Sequence, residues 1–100
     1  MIRVFISQPM NGKTNDEIKE ERDRIVESLE DQFGKVEVVD SFFENAPHDA
    51  APLWFLGESF KLLSTVDVAV FAKGWNLARG CKMEHDACTA YGIKTIEMTA

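Results

Sequence analysis

The sequence predicts a three-layer α/β fold of the flavodoxin-like kind: a four-stranded parallel sheet in the order 2-1-3-4 with helices on both faces. Three observations predict it. Short apolar runs alternate with amphipathic ones as β-α-β-α-β-α-β, which right-handed crossovers convert into a parallel sheet. The third apolar run, Val66 to Ala72, is almost continuous apart from Asp67, as a strand covered on both faces must be, and the order 2-1-3-4 puts it inside. Gly or Pro stands at most of the points where one period gives way to the next, the passage from Leu63 to Val66 excepted. One hundred residues, 45% of them hydrophobic and 28% charged, make a single domain spanning residues 1–100.

Each element can be justified in order. Ile2 to Ser7, with Val4-Phe5-Ile6 at its heart, reads as the first strand, and Pro9 and Gly12 turn the chain into a loop. Thr14-Asn15-Asp16-Glu17 fits a capping box, and Ile18, Ile25, Val26, Leu29 and Phe33 keep helical spacing up to Gly34, so helix one should span about 15 to 33. Val36, Val38 and Val39 form a second strand ending at Asp40-Ser41. The segment from Phe42 to Pro52 has no period and holds two prolines, a working loop by its length. Pro52 then suits the first turn of helix two, whose inward stripe is expected to be Leu53, Leu56, Phe60 and Leu63, with Trp54, Phe55 and Leu62 on further apolar faces. After the central strand, helix three should run from about Arg79 to Tyr91 and stop at Gly92, and Ile93 to Met98 makes the last strand.

Seventeen Asp and Glu against eleven Lys and Arg leave a net charge of −6, with no basic run, which argues against a long nucleic-acid partner while leaving small anions open. The longest N-terminal apolar run, Val4-Phe5-Ile6, is too short for a signal segment or a spanning helix; a cytoplasmic protein with no membrane partner is expected. Cys81, His85 and Cys88 repeat at i, i+4, i+7, but a structural zinc wants four ligands and the remaining candidate, His48, lies in a loop. Two free thiols and no bound metal are the better reading.

Ligands of open parallel sheets bind outside the C-terminal strand ends, where the strand order reverses. In the order 2-1-3-4 that switch lies between strands one and three. The candidate rim is therefore Ser7, Gln8, Pro9, Met10, Asn11 and Gly12 with the segment from Phe71 to Gly80, and Asp40 through Phe43 form an outer wall. Trp75, Phe42 and Phe43 are candidates to line a slot for a flat base, and Asn11, Lys13, Lys73 or Arg79 to hold an anion. The plainer alternatives are core aromatics and solvated cations. Glu84, near the start of helix three, should be kept ionised by the helix dipole, and Gly80 before it lets the chain approach a ligand closely.

These motifs together resemble the nucleoside 2-deoxyribosyltransferase-like superfamily, in particular its small bacterial and phage members. Val4 through Gly12 looks like the family's first strand and ligand loop. Leu63 to Phe71 is similar to its helix end, Asp and buried strand. Gly74-Trp75, Arg79-Gly80-Cys81 and Glu84 match the loop and helix that carry its nucleophilic Glu. The resemblance implies that Glu84 attacks the anomeric carbon of a (deoxy)nucleoside or its 5′-monophosphate, forms a covalent sugar ester and expels the base. Water or a second base then completes hydrolysis or transfer with retention, without a cofactor. Asp40 is the candidate to protonate or recognise the base.

Three positions depart from the family pattern. Ser59 stands eight residues before Asp67, where a sugar-binding carboxylate is usual, and the neighbouring Glu58 points about 100° away around a helix. Gln8 replaces a frequent Gly, and Asp86 another. Asp67 itself reads as structural, at the sheet end opposite the crevice. Family members assemble through helix faces, often with a neighbour completing the pocket, so a homo-oligomer through helix two, at Phe55 and Leu62, is expected. The alternative function is a non-catalytic nucleotide-binding module, in which Glu84 holds a ribose hydroxyl.

Overall fold

A computed structural model of the chain describes residues 1–99. The elements are β1 (Ile2–Ser7), α1 (Asn15–Phe33), β2 (Val36–Val38), α2 (Pro52–Leu63), β3 (Val68–Phe71), a short 3-10 turn (Trp75–Leu77), α3 (Arg79–Tyr91) and β4 (Lys94–Glu97). All strand pairs are parallel and the sheet order is β2-β1-β3-β4. The flavodoxin-like fold and its strand order are as the sequence predicts.

Two apolar layers cover the sheet. One joins Val4, Ile6, Val68 and Val70 of the strands to Ile25 and Leu29 of α1. The other joins Phe5, Ala69 and Phe71 to Leu63 of α2 and Cys88 of α3. Alternate residues of β1 thus point to opposite layers, the period-two geometry of a strand buried on both sides. Because α2 and α3 share one layer, their facing surfaces form a seam above β1 and β3.

Local signals set the helix ends. Thr14 Oγ1 accepts the Glu17 N–H at 3.1 Å while Glu17 Oε1 accepts the Thr14 N–H at 2.9 Å, a complete capping box at the start of α1. Gly92, at φ 72°, ends α3 in the left-handed region that a side chain disfavours. At the opposite end of the sheet from the crevice, Asp67 Oδ2 accepts the Arg3 N–H at 2.8 Å and the Asp67 N–H donates to the Arg3 carbonyl at 2.9 Å. Asp67 therefore holds β3 beside β1 as a strand-start clamp.

The structure corrects several element details. β3 is shorter than Val66 to Ala72, and β2 stops at Val38, although the Val39 N–H still donates to the Val4 carbonyl at 3.0 Å. β4 likewise covers only Lys94–Glu97. Phe33 is exposed instead of closing the α1 stripe. The larger correction concerns α2: Leu53 (73% exposed) and Phe60 (39%) face out, whereas Ser59 and Leu63 are buried. Leu62, expected on an outer face, packs into the core layer instead. The helix is rotated so that Ser59 rather than Phe60 looks into the α2–α3 seam, because that seam holds a carboxyl, Glu84, whose partners must be polar.

Candidate functional site

A crevice of about 940 Å³ opens at the C-terminal ends of the strands, where β1 and β3 flank the reversal of strand order. Its floor is Ser7, Ser59, Cys81 and Glu84. Pro9, Met10 and Asn11 form one edge, and the lip on the β3 side carries Lys73, Gly74, Leu77, Arg79 and Gly80. On the β2 side stand Phe42, Phe43, Pro52, Phe55 and Leu56. One wall is therefore aromatic and aliphatic, and the other is basic.

Glu84 is the sixth residue of α3, on the stripe it shares with Cys81 and Cys88, and is 8% exposed. Ser7 Oγ, at the last position of β1, donates to Glu84 Oε1 at 2.6 Å. Burial pushes the Glu84 carboxyl above the ordinary carboxylate range, while hydrogen bonding from Ser7 and from Ser59 pulls it back. The expectation that the helix dipole keeps Glu84 ionised is corrected: Glu84 lies beyond the first turn, where the dipole effect has fallen off, and desolvation dominates.

Cys81 lies beside this pair. Burial pushes its thiol up to about 11, the charges of Glu84 and Glu21 add to the rise, and hydrogen bonding with Ser7 and the charge of Lys13 oppose it. Burial and then Glu84 likewise push Cys88 up to about 11. At neutral pH both are uncharged thiols, weak as nucleophiles. Cys81, His85 and Cys88 do not gather around one point: Cys81 faces Ser7, Cys88 belongs to the core, and His85 packs elsewhere. Among the described residues no three His, Cys, Asp or Glu side chains are grouped to hold a metal ion.

Gln8 borders the crevice, but its side chain is committed to α1. Its Nε2 donates to the Ile18 carbonyl at 3.2 Å and to Glu21 Oε1 at 2.8 Å, and its Oε1 accepts from Arg22 Nη1 at 3.0 Å. The same Nη1 donates to Ser41 Oγ at 3.2 Å, and Ser41 donates on to the Ile6 carbonyl at 2.8 Å. Burial lowers the Arg22 pKa, while Asp40 and then Asp23 raise it by their charge. This chain of bonds fixes the loops after β1 and β2 relative to each other.

Three expected site residues lie elsewhere. Asp40 is exposed and borders a separate cavity of about 200 Å³, and its Oδ1 accepts the Phe42 N–H at 3.3 Å. Asp40 is not among the residues that border Glu84's crevice. Trp75 stacks on His85, ring centroids 4.1 Å apart and planes 17° from parallel, and also meets Phe71 at 5.5 Å. The 3-10 turn it begins swings its ring behind the lip and leaves Leu77, 85% exposed, on the crevice side. Gly12 lies past the edge, in the turn before α1. By contrast Ser7, Gln8, Pro9, Met10, Asn11, Phe42, Ser59, Arg79 and Gly80 all border the crevice with Glu84.

The aromatic wall is stiffened from behind. Trp54 meets Phe43 edge-on at 5.9 Å and Phe55 at 5.1 Å, which ties the loop before α2 to the helix itself. Lys13 Nζ lies 3.3 Å from Glu21, whereas among the described residues neither Lys73 nor Arg79 is within ion-pair distance of a carboxylate. No family model, curated protein or solved structure matches the chain. Among the described residues no helix is long and apolar enough to cross a membrane.

Proposed function

We propose that the chain cleaves or transfers the N-glycosidic bond of a (deoxy)nucleoside or nucleoside 5′-monophosphate, with Glu84 as nucleophile and a covalent glycosyl–Glu84 intermediate. One observation carries this reading: a carboxyl buried at the floor of the switch-point crevice, held through one oxygen by Ser7 at 2.6 Å. The resemblance to the nucleoside 2-deoxyribosyltransferase-like superfamily supports it from the sequence side. A carboxylate largely stripped of water stabilises an electron-poor anomeric carbon and then bonds to it.

The two walls suit the two ends of such a substrate. The base lies on Phe42, Phe43 and Phe55, the sugar over Glu84 and Ser59, and a 5′-phosphate beside Lys73 and Arg79 where α3 begins. Exposed Leu53 and Phe60, seven residues apart on one side of α2, give it an apolar face on which a second copy docks. Cytoplasmic residence belongs to the same proposal, since Cys81 and Cys88 are free thiols and nucleotides abound there.

A second reading, a non-catalytic nucleotide-binding module, is favoured by Ser59 offering a hydroxyl where a carboxylate is usual. Incubation with deoxynucleosides and their monophosphates separates the two. Release of free base by wild type but not by Glu84→Ala, with a sugar adduct on Glu84 in the intact mass, supports the enzyme. Nucleotide binding without base release from any substrate leaves the module.

A further inference from the structure

We propose that the crevice acts on N-glycosides whose base departs without taking up a proton, pyridinium 5′-nucleotides above all. The proposal rests on the reading of Glu84 as nucleophile and names the substrate class of that same site.

A neutral purine or pyrimidine leaves as an anion unless an acid protonates it, and general acids ordinarily supply that proton. Among the described residues the crevice is bordered by one carboxyl, Glu84, and by no Asp, His or Tyr. Glu84 cannot serve as nucleophile and acid in the same step. The Cys81 thiol, at about 11, is too weak an acid to help at neutral pH. A guanidinium side chain is not a usable proton donor in proteins, which sets aside the lip's arginine as the acid. Lys13 is held at 3.3 Å from Glu21, and Lys73 stands on the β3 lip, across β1 from the aromatic wall. Asp40, the carboxylate best placed in the sequence for this work, borders the other cavity.

The wall that would meet the base points the same way. Phe42, Phe43, Phe55, Pro52 and Leu56 supply aromatic and aliphatic side chains, with no side-chain donor or acceptor for a base edge. A base read by its hydrogen-bonding edge gains little there. A cationic ring gains from the negative faces of the phenyl groups as well as from stacking. With the phosphate on the basic lip, a zwitterionic pyridinium nucleotide meets complementary charge at both ends.

The chemistry balances without an acid. A Glu84 oxygen bonds to the anomeric carbon, and the C–N bonding pair passes to the pyridinium nitrogen, which leaves as a neutral ring. Water then attacks the anomeric carbon of the ester, restoring the Glu84 carboxylate and releasing one proton to solvent.

The test compares free-base release from nicotinamide mononucleotide, dCMP and dGMP at neutral pH, with Glu84→Gln as the control. The pyridinium nucleotide should be cleaved with a kcat/KM at least about 100-fold above the other two, the least that general acid catalysis ordinarily contributes. The release should vanish in Glu84→Gln. Cleavage of dCMP or dGMP as fast as the pyridinium nucleotide overturns this inference and leaves the N-glycosidase reading standing. Release from none of the three overturns both.

Discussion

Ser7 donates its hydroxyl to Glu84 at 2.6 Å while its carbonyl accepts the Ala72 N–H at 2.9 Å, so one residue closes the sheet between β1 and β3 and holds the candidate nucleophile. The hydroxyl bond favours the charged carboxylate and opposes the effect of burial. Ser7→Ala removes that opposition, so the Glu84 pKa rises further and the acid limb of the pH–activity profile moves to higher pH. At mildly acidic pH kcat/KM should fall by about tenfold or more, consistent with ~1.5–3 kcal/mol for a hydrogen bond to a charged group. Ser7→Thr keeps the hydroxyl and should restore the wild-type limb. An unchanged limb in Ser7→Ala would mean that the bond does not set the ionisation of Glu84.

Glu84 also makes stability depend on pH. Its folded pKa is raised above the unfolded value, so the native state binds more protons than the unfolded state between the two values. Stability contributed by the protonated form is full below the unfolded pKa and is lost as pH rises through the folded one. Glu84→Gln should therefore raise Tm at neutral pH by a few degrees, with 1 kcal/mol worth about 4–8 °C in a domain of this size. The gain should shrink as pH falls and vanish below the unfolded carboxyl's pKa, where Glu84 is protonated in both states. A lower Tm for the variant at neutral pH, measured by calorimetry, contradicts this account.

Much of the fold was legible because strand and helix periods differ and Gly or Pro marks most of the changes. The site was legible to the extent that it follows from the switch point: Ser7, Asn11, Arg79 and Glu84 come together because the strand order brings their loops together. What escaped were side-chain directions. Trp75 and Asp40 are in the right segments, but the 3-10 turn carries the Trp75 ring onto His85, and Asp40 borders the second cavity. A usable signal was present in the helices. Arg22 stands on the stripe of Ile18, Ile25 and Leu29, Ser59 lies one turn from Leu62 and Leu63, and Glu84 lies between Cys81 and Cys88. A polar residue at an apolar position needs a buried partner, and these three residues engage the polar groups around the crevice.

Arg22 should matter for stability out of proportion to its place on a surface helix. Arg22→Leu leaves the Gln8 amide oxygen without its donor and removes the bridge to Ser41. The expected loss is about 1–3 kcal/mol, seen as a lower urea midpoint with an unchanged m value. Arg22→Lys, which lacks the planar fork, should recover only part of it. A midpoint within error of wild type would show that the network contributes nothing net.

The exposed face of α2 predicts assembly. Leu53 and Phe60 lie outside both core layers, so charged residues there leave the fold intact. Leu53→Glu combined with Phe60→Glu should lower the mass measured by light scattering to that of one chain while the circular dichroism spectrum is retained. A wild-type protein that is already a single chain at high concentration removes this face as an interface.

Lys73 and Arg79 give the crevice a positive lip on a protein of net charge −6, and among the described residues no carboxylate neutralises either. Such cations attract a phosphate more than they stabilise a reaction at the anomeric carbon. In Lys73→Ala and Arg79→Ala, KM for 5′-monophosphates should rise by about tenfold each, the loss of ~1.4 kcal/mol of binding, while kcat stays near wild type. The corresponding nucleosides, which carry no phosphate, should keep their KM. Added salt should raise the wild-type KM for monophosphates alone, since exposed charges are screened within about 10 Å at 0.1 M. Equal effects on nucleosides and monophosphates, in steady-state kinetics with both substrates, would assign the two cations to the fold or to the sugar and not to a phosphate.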